Sequence, residues 1–176
     1  MEQVILVTPT DEEIGFMEKM EAHEKGLLHR AFSVLVFNSN GALLLQQRSL
    51  NKYHSPGLWT NTCCSHPRPY EETLTAAMRR MEEEMGLAVP LKEIFHFTYR
   101  AELEHGLVEH EIDHVFIGFT DDHPQINYSE AMNFDWQSLR EIKQNLLTEP
   151  EKYTAWFQLL LTEHYIEIQQ ALTHES

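Results

Sequence analysis

The stretch EETLTAAMRRMEEEMGL, residues 71–87, is the clearest helix of the sequence, and the predicted fold is built outward from it. Its apolar side chains recur every three or four residues, which is the period of one helix face. Glu71 and Glu72 fall in the predicted first turn, where the helix dipole favours negative charge, and Gly86 suits a left-handed C-terminal cap. The predicted apolar stripe comprises Leu74, Ala77, Met78, Met81 and Met85.

The other face of this helix is densely charged and carries Arg79, Arg80, Glu82, Glu83 and Glu84. Arg80 and Glu84 are one turn apart, a spacing at which opposite charges attract each other. Because such a run is usually a solvated helix face, the helix alone leaves a functional role open.

Immediately before the helix, residues 59–67 read WTNTCCSHP and bring an indole, two thiols and an imidazole together. In an extended segment alternate side chains share a face, so Cys64 and His66 are predicted to point one way and Cys63 the other. A free cysteine is more often packed than reactive, and a lone histidine is usually a satisfied polar residue. Both interpretations stay open for Cys64 and His66, whereas Cys63 is interpreted as packing.

Two strand pairs are predicted on either side of this segment. Residues 33–37 and 42–47 are apolar runs separated by NSNG, whose Asn and Gly suit a tight antiparallel hairpin. Residues 94–101 and 107–119 form a second pair, joined by a short turn at His105-Gly106.

The chain is predicted to form a single domain over residues 1–176, because no internal repeat or linker divides it. Residues 3–8 predict a short strand. From about Glu130 onward the pattern is largely helical, with residues 137–147 and 151–172 as the predicted helices.

Acidic residues in the strand at 107–119 give the strongest physical indication of a metal site. Glu109, Glu111 and Asp113 alternate and so share one face, and carboxylates in a half-buried strand are costly unless they are paired or bind a cation. Tyr99, on the preceding strand, is placed to reach one of them. His23 and His29 could converge on one ion if they lie in an irregular or extended segment, although either histidine by itself is more often a surface residue.

Composition excludes several classes of protein. The formal net charge of −15 argues against nucleic acid or an anionic membrane as a partner, so an anionic substrate needs local cations or a bound metal. Arg48 and Lys52 could supply such cations, or they could be an ordinary solvated pair. No apolar run approaches the roughly 20 residues that cross a bilayer, and the acidic start does not resemble a secretory signal. Two adjacent cysteines have poor geometry for a disulfide, which favours a soluble protein of the reducing cytoplasm.

Six segments, in matching order from Lys19 to about Trp156, resemble the type 1 isopentenyl-diphosphate isomerases, metal-dependent enzymes of the Nudix superfamily. They are EKMEAH, LLHRAF, RSLNKYHSPGLWTNTCCSHP, RRMEEEMGL, FTYRA and LVEHE. The resemblance implies an α/β fold, a Nudix-type α/β/α sandwich in which helices flank a mixed central sheet. It also implies a cytoplasmic monomer or homodimer that acts on a small-molecule substrate, with no nucleic-acid or membrane partner.

The helix also resembles the Nudix signature Gx5Ex7REUxEExGU, but it departs from it at two positions. Ser65 stands where the signature has Gly, and Arg80 stands where it has Glu. Hydrolysis needs a carboxylate cluster that collects metals and activates water, whereas an Arg suits binding a diphosphate without cleaving it. The positions that fit are Glu71, Arg79, Met81, Glu83, Glu84, Gly86 and Leu87.

The resemblance further implies two metal sites and a set of cations for the diphosphate. One divalent transition metal, Zn²⁺, Mn²⁺ or Fe²⁺, would be bound by His23, His29, His66, Glu109 and Glu111. Mg²⁺ would bridge the substrate diphosphate and Glu84. The diphosphate-binding cations would be Lys19, Arg48, Lys52 and Arg80.

The implied reaction moves a double bond, converting isopentenyl diphosphate to dimethylallyl diphosphate. One proton is added to the alkene and another is removed two carbons away, through a tertiary carbocation, by Cys64 and Glu111 on opposite faces. Tyr99 would hydrogen-bond Glu111, and the indole of Trp156 would face the cation. Two alternatives are a Nudix hydrolase of diphosphates, which has no use for the thiol, and a non-catalytic metal-binding module, which leaves the cations unexplained.

Overall fold

The computed structural model describes residues 1–175, which form a mixed sheet of 9 strands with α-helices on both faces. The strands are β1 (Gln3–Val7), β2 (Glu13–Glu18), β3 (His29–Phe37), β4 (Ala42–Arg48), β5 (Trp59–Thr60), β6 (Cys63–Ser65), β7 (Lys92–Glu102), β8 (Val108–Phe119) and β9 (Ala131–Ser138). The helices are α1 (Lys19–Lys25), α2 (Thr73–Met85), α3 (Leu139–Thr148), α4 (Ala155–Glu163) and α5 (Tyr165–Glu175). The predicted α/β sandwich is confirmed.

Strand β3 is the centre of the sheet. It pairs in parallel with β8 from His29↔Glu111 to Phe37↔Phe119, and it also pairs antiparallel with β1, β6 and β4. Both predicted hairpins are present, β3 with β4 and β7 with β8. In the first turn only Gly41 takes a positive φ, of 75°.

The sheet separates two hydrophobic cores. Phe32, Val34 and Val36 point toward α2, together with Cys63. Intervening residues of β3 such as Leu35 belong to the other core, which is covered by α3, α4 and α5. Because side chains alternate along a strand, the acidic residues of β8 lie on this second face, beneath α4.

Helix α2 confirms the prediction of a helix but corrects its first turn. It begins at Thr73, so Glu72 is the N-cap residue, with extended backbone, rather than part of the first turn. Glu71 lies outside the helix and accepts hydrogen bonds from the guanidinium of Arg79 at 2.8 and 2.9 Å. Gly86 forms the predicted left-handed cap at φ 64°.

The buried face of α2 is rotated relative to the predicted stripe. Ala77, Met81 and Met85 are buried as predicted, but Leu74 and Met78 are 41% and 40% exposed. Their places are taken by Ala76 and Glu84, because the helix turns that edge toward β6 and β3. The polar Glu84 is thereby drawn into the protein.

Two further predictions were wrong in part. The segment after Glu130 begins with strand β9, which pairs with the whole length of β4. The predicted helix over residues 151–172 is divided into α4 and α5 at His164, after a 3₁₀ turn at Pro150–Lys152. Strand β2 has no counterpart in the prediction. Within residues 1–175, no helix is both long and apolar enough to cross a membrane.

Gly86→Ala is expected to lower the free energy of unfolding by about 2–5 kcal/mol. A left-handed backbone costs an L-residue roughly 1–2 kcal/mol, and a Cβ here would lie 2.6 Å from the carbonyl oxygen of Gln125, an overpacking worth about 1–3 kcal/mol. Gly41→Ala is the matched control, since it has a positive φ but open space around the new Cβ. Urea unfolding of the two variants measures the difference, and equal losses would contradict the clash.

Candidate active site

A cleft of about 130 Å³ gathers most of the residues predicted to be functional. Its walls come from α1, β3, β6, α2, β7, β8 and α4, together with the loop that follows β4. Ten predicted site residues line it alongside Cys64: Lys19, Arg48, Lys52, His66, Arg80, Glu84, Tyr99, Glu109, Glu111 and Trp156. His23 and His29 lie behind its wall and are fully buried.

All five predicted transition-metal ligands form one cluster. Their ligand atoms lie within 4.8 Å of one another; the residues are His23, His29, His66, Glu109 and Glu111. The expectation of an irregular or extended segment is wrong for His23, which lies on helix α1, while His29 begins β3. The register of β3 with β8 places His29 beside Glu111.

Hydrogen bonds fix the orientation of two of the imidazoles. The Nδ1–H of His23 donates to the carbonyl of Lys19 at 2.7 Å, and that of His29 donates to the carbonyl of Leu27 at 2.8 Å. The Nε2 atom of each ring therefore faces inward, at 3.1 Å from Oε1 of Glu109 for His23 and 3.0 Å from Oε2 of Glu111 for His29. Metal-bound histidines are typically oriented in this way.

This donor set fits a divalent cation. Oε2 of Glu109 is buried and has no hydrogen-bond partner among the described residues, and Nε2 of His66 lies only 2.6 Å from Oε2 of Glu111. Neutral imidazole nitrogens and carboxylate oxygens that converge on one point repel each other unless a proton or a cation lies between them. Imidazole together with carboxylate suits ions of intermediate hardness.

Imidazoles and carboxylates inside the cluster shift each other's pKa values. Burial disfavours the charged form of His23, but the hydrogen bond and the charge of Glu109 outweigh it and raise the pKa of His23 to about 9. Burial likewise opposes ionisation of Glu111, yet the neighbouring His66 and His29 hold the pKa of that carboxyl well below its usual value. For His66 burial dominates and lowers the pKa. The cluster therefore holds its carboxylates ionised.

Cys64 and Cys63 point to opposite sides of β6, as predicted. The thiol of Cys64 donates to Oδ1 of Asn61 at 2.9 Å and accepts the indole N–H of Trp156 at 3.1 Å. Burial, followed by the charge of Asp113, raises the pKa of Cys64 to about 12, so it rests as a thiol. Cys63 is fully buried but does more than pack, because its Sγ donates to Oε2 of Glu84 at 3.1 Å.

Across the cleft, Tyr99 and Glu111 form the pair predicted from the hairpin. They are directly opposite in the β7–β8 register, and the Tyr99 hydroxyl donates to Oε1 of Glu111. Burial, together with the charge of Glu111, raises the pKa of Tyr99 well above its usual value. Tyr99 therefore stays protonated as a hydrogen-bond donor to the carboxylate.

The predicted cations converge on the cleft, and each of three is paired with a carboxylate. Lys19 contacts Glu2 at 2.8 Å. Glu130 accepts from Lys52 and also lies 3.3 Å from Arg80. Sequence reasoning did not single out Glu2 and Glu130, because neither is near the family segments.

Arg48 lines the cleft, but its hydrogen bonds go to backbone carbonyls of the neighbouring loop. Its guanidinium donates to the carbonyls of Ser55 and His54 at 3.2 and 3.0 Å. Its Cζ lies 5.3 Å from the centre of the Trp156 ring, over the indole. Arg48 therefore shapes the loop and one face of Trp156 in addition to adding positive charge.

Two further polar residues belong to the site. Asp113, predicted to share a face with Glu109 and Glu111, lies outside the metal cluster and accepts a hydrogen bond of 2.7 Å from Ser33. His54 was left without a role by the sequence, yet it is 4% exposed and its Nε2 lies 3.1 Å from Oε1 of Glu109. A single histidine in a polar loop carries no periodic signal that could have indicated this contact.

Comparison with known proteins defines the class of fold. A family model for the NUDIX domain matches residues 27–157. Among solved structures, DR0079 of Deinococcus radiodurans superposes with a TM-score of 0.71 over 84% of this chain and 90% of its own, at 18% identity. A MutT protein of Methanosarcina mazei gives a TM-score of 0.61 over 74% of this chain and 88% of its own, at 24% identity. The fold is thus that of a Nudix domain.

Two curated relatives are much more similar to this chain in sequence than these solved structures are. The isopentenyl-diphosphate Delta-isomerase of Pectobacterium atrosepticum is 57% identical over 157 residues, which covers 89% of this chain and 88% of the relative. The protein of the same name from Serratia proteamaculans is 48% identical over 156 residues, covering 89% and 87%. This chain belongs to the isopentenyl-diphosphate Delta-isomerase family.

His29→Ala is expected to weaken binding of a divalent transition metal by at least about 100-fold. Loss of an outer contact to a metal ligand typically weakens metal affinity 10–100-fold, and His29→Ala removes a ligand itself. Metal affinity is measured by competition with a chromophoric chelator. His110→Ala is the matched control: His110 lies on β8 between two cluster residues, but its Nδ1 contacts the carbonyl of Gly26 instead. Equal metal affinities in the two variants would contradict the assignment.

Proposed function

We propose that this chain isomerises isopentenyl diphosphate to dimethylallyl diphosphate. The observation that carries the proposal is that Cys64 and the Tyr99–Glu111 pair line the same cleft. Relatives that share about half of its residues over most of its length are named for this reaction. The thiol also has a use in this reaction that a phosphate hydrolase would not give it.

The chemistry requires two proton-transferring groups on either side of an alkene. An unactivated alkene is a very weak base, so proton donor and acceptor must be fixed in place and water excluded. Cys64 is fixed by Asn61 and Trp156, and Glu111 is fixed by Tyr99 on one oxygen and by histidines on the other. We infer that these two groups add one proton and remove the other.

Trp156 would stabilise the proposed carbocation with the face of its indole ring. Its N–H is bonded to the thiol of Cys64, so the indole would lie beside the reacting carbons if Cys64 transfers a proton to or from them. Because Arg48 lies over the ring, a cationic intermediate would use the other face of the indole. A desolvated cation–π contact contributes roughly 2 kcal/mol.

A divalent ion held by the His/Glu cluster would supply a fixed positive charge that tunes the acidity of Glu111. The residues that would hold it are those whose ligand atoms converge: His23, His29, His66, Glu109 and Glu111. The protein orients two of these imidazoles through backbone carbonyls. The donor set suits Zn²⁺, Mn²⁺ and Fe²⁺ alike.

The diphosphate would be bound by Lys19, Lys52 and Arg80, which line the same cleft. Nε of Arg80 is buried and has no hydrogen-bond partner among the described residues, so a donor is available to a phosphate oxygen. Phosphate oxygens would also replace Glu2 and Glu130 as partners of these cations. Mg²⁺ prefers oxygen ligands and commonly binds through one or two carboxylates and a phosphate. It would therefore suit the carboxylates released in this way, together with Glu84.

Diphosphate hydrolysis is the less favoured alternative because of Arg80. Its NH1 lies 2.6 Å from Glu83 and its NH2 lies 2.6 Å from Glu84. The guanidinium thus neutralises two carboxylates of the helix that a hydrolase would use to collect metal ions.

Cys64→Ala is expected to lower isomerisation by about 10²–10⁴-fold, the usual contribution of a positioned acid or base. The variant is incubated with isopentenyl diphosphate in heavy water, and deuterium in substrate and product is followed by mass spectrometry. Wild type should incorporate deuterium without releasing phosphate.

The fold and metal content of Cys64→Ala should match those of wild type, because the removed thiol is neither a cluster ligand nor part of the sheet pairing. Its melting temperature should fall modestly, because the buried N–H of Trp156 loses its acceptor. Activity of Cys64→Ala within tenfold of wild type would refute the role of the thiol. Release of phosphate by wild type without deuterium incorporation would refute the isomerase proposal and favour hydrolysis.

Glu84→Gln is expected to raise the Mg²⁺ concentration needed for half-maximal activity by about 10-fold or more, because it removes a charged oxygen ligand for a hard cation. Transition-metal content should not change, since Glu84 is not in the His/Glu cluster. Glu82→Gln is the matched control: Glu82 is exposed on the same helix. Identical Mg²⁺ dependence in the two variants would exclude Glu84 as a ligand.

A further inference from the structure

His54 is buried in the wall of the cleft and has no part in the mechanism proposed above. Its ring lies against three groups of the site: the ring of His23, with centroids 5.9 Å apart, the indole of Trp156, at 5.6 Å and 87°, and the carboxylate of Glu109, with Nε2 at 3.1 Å from Oε1. Nδ1 lies 3.2 Å from the hydroxyl of Ser55. Because a carboxylate only accepts, the tautomer that suits both neighbours has the proton on Nε2, with Ser55 donating to Nδ1.

The backbone that presents His54 is held from two sides. Arg48 donates to the carbonyls of His54 and Ser55, and the backbone N–H of Ser55 donates to the carboxylate of Glu104, in the turn between β7 and β8. Ser55 has a φ of 50°, a left-handed conformation that is unfavourable for a non-glycine residue. Such a conformation persists only where the surroundings impose it, so the placement of His54 is tightly determined.

The two oxygens of Glu109 have very different surroundings. Oε1 faces Nε2 of both His23 and His54, each at 3.1 Å, whereas Oε2 is buried with no partner among the described residues. The Nδ1–H of His23 is already bonded to the carbonyl of Lys19, so Nε2 is the nitrogen of His23 left for a metal. A ligating nitrogen carries no proton, and His23 then has none to donate to Glu109.

We propose that His54 is a positioning residue of the metal centre. When His23 acts as a ligand, the Nε2–H of His54 remains as the donor that holds Oε1 of Glu109 and keeps Oε2 directed at the ion. This inference rests on the metal centre of the proposed function. Carboxylate ligands are themselves usually hydrogen-bonded, and loss of such an outer partner typically weakens metal affinity 10–100-fold.

Two substitutions separate the hydrogen bond from the packing of the ring. His54→Leu fills similar space against Trp156 but has no donor, while His54→Gln can place an amide N–H near the position of Nε2. Chelator-treated protein is titrated with Zn²⁺ in competition with a chromophoric chelator. His54→Leu is expected to bind Zn²⁺ about 10–100-fold more weakly than wild type, and His54→Gln should recover most of that loss.

His123→Leu is the matched control, because His123 is exposed in the loop after β8 and contacts only the ring of Phe134 among aromatic groups of the described chain. Melting temperatures of the metal-free proteins are measured in parallel, and those of His54→Leu and His54→Gln should agree with each other. A purely structural role would lower both temperatures without a difference in Zn²⁺ affinity between Leu and Gln.

Wild-type Zn²⁺ affinity in His54→Leu, or equal losses in the Leu and Gln variants, would overturn the role of His54 while leaving the proposed metal centre intact. Failure of the wild-type protein to bind Zn²⁺ would instead overturn the metal centre, and the role of His54 with it. The two failures are therefore distinguished by the wild-type titration alone.

Discussion

The parallel pairing of β3 with β8 is the constraint on which the site depends. It aligns His29 with Glu111 and so places an imidazole beside a carboxylate in the protein interior, where an unpaired charge would cost several kcal/mol. Strand β6 pairs with the same β3, with Cys64 opposite Ser33, so the thiol is positioned by the strand that positions the metal cluster. A slip of one residue in β8 would turn its carboxylates to the other face of the sheet.

Local pairing explains how a protein with a net charge of −15 can present a site for a diphosphate. Lys19 and Lys52 are paired with Glu2 and Glu130, and Arg80 is paired with Glu83 and Glu84, so three cations can lie close together without strong repulsion. In the proposed function, phosphate oxygens would take the place of carboxylate oxygens in these contacts. The carboxylates would then lack partners, which would give a divalent cation that arrives with the substrate a physical reason to bind.

The sequence was sufficient for features that depend on local periodicity. The hairpins, the α2 helix and the shared face of Glu109 and Glu111 follow from alternation or helical period alone, and the family resemblance added the identity of the ligands. Features imposed by distant pairing were not predictable in this way. Strand β9 is different, because Met132, Phe134 and Trp136 alternate with Asn133, Asp135 and Gln137, a strand pattern that the prediction of a helical segment overlooked, and β4 offers it a full-length partner. The contact of His54 with Glu109 joins segments far apart in the chain.

Arg80 shows how one position in the Nudix helix can redirect its chemistry. A Glu there would add a third acid to Glu83 and Glu84 and form a surface that collects metal ions for hydrolysis. The guanidinium instead pairs with both carboxylates at 2.6 Å, and its buried Nε–H has no hydrogen-bond partner within residues 1–175. In the proposed function the helix would bind the diphosphate, and proton transfer would be carried out by the thiol of β6 and the carboxylate of β8. These strands are rigid because both pair with β3, and rigid placement is what proton transfer to a weakly basic alkene demands.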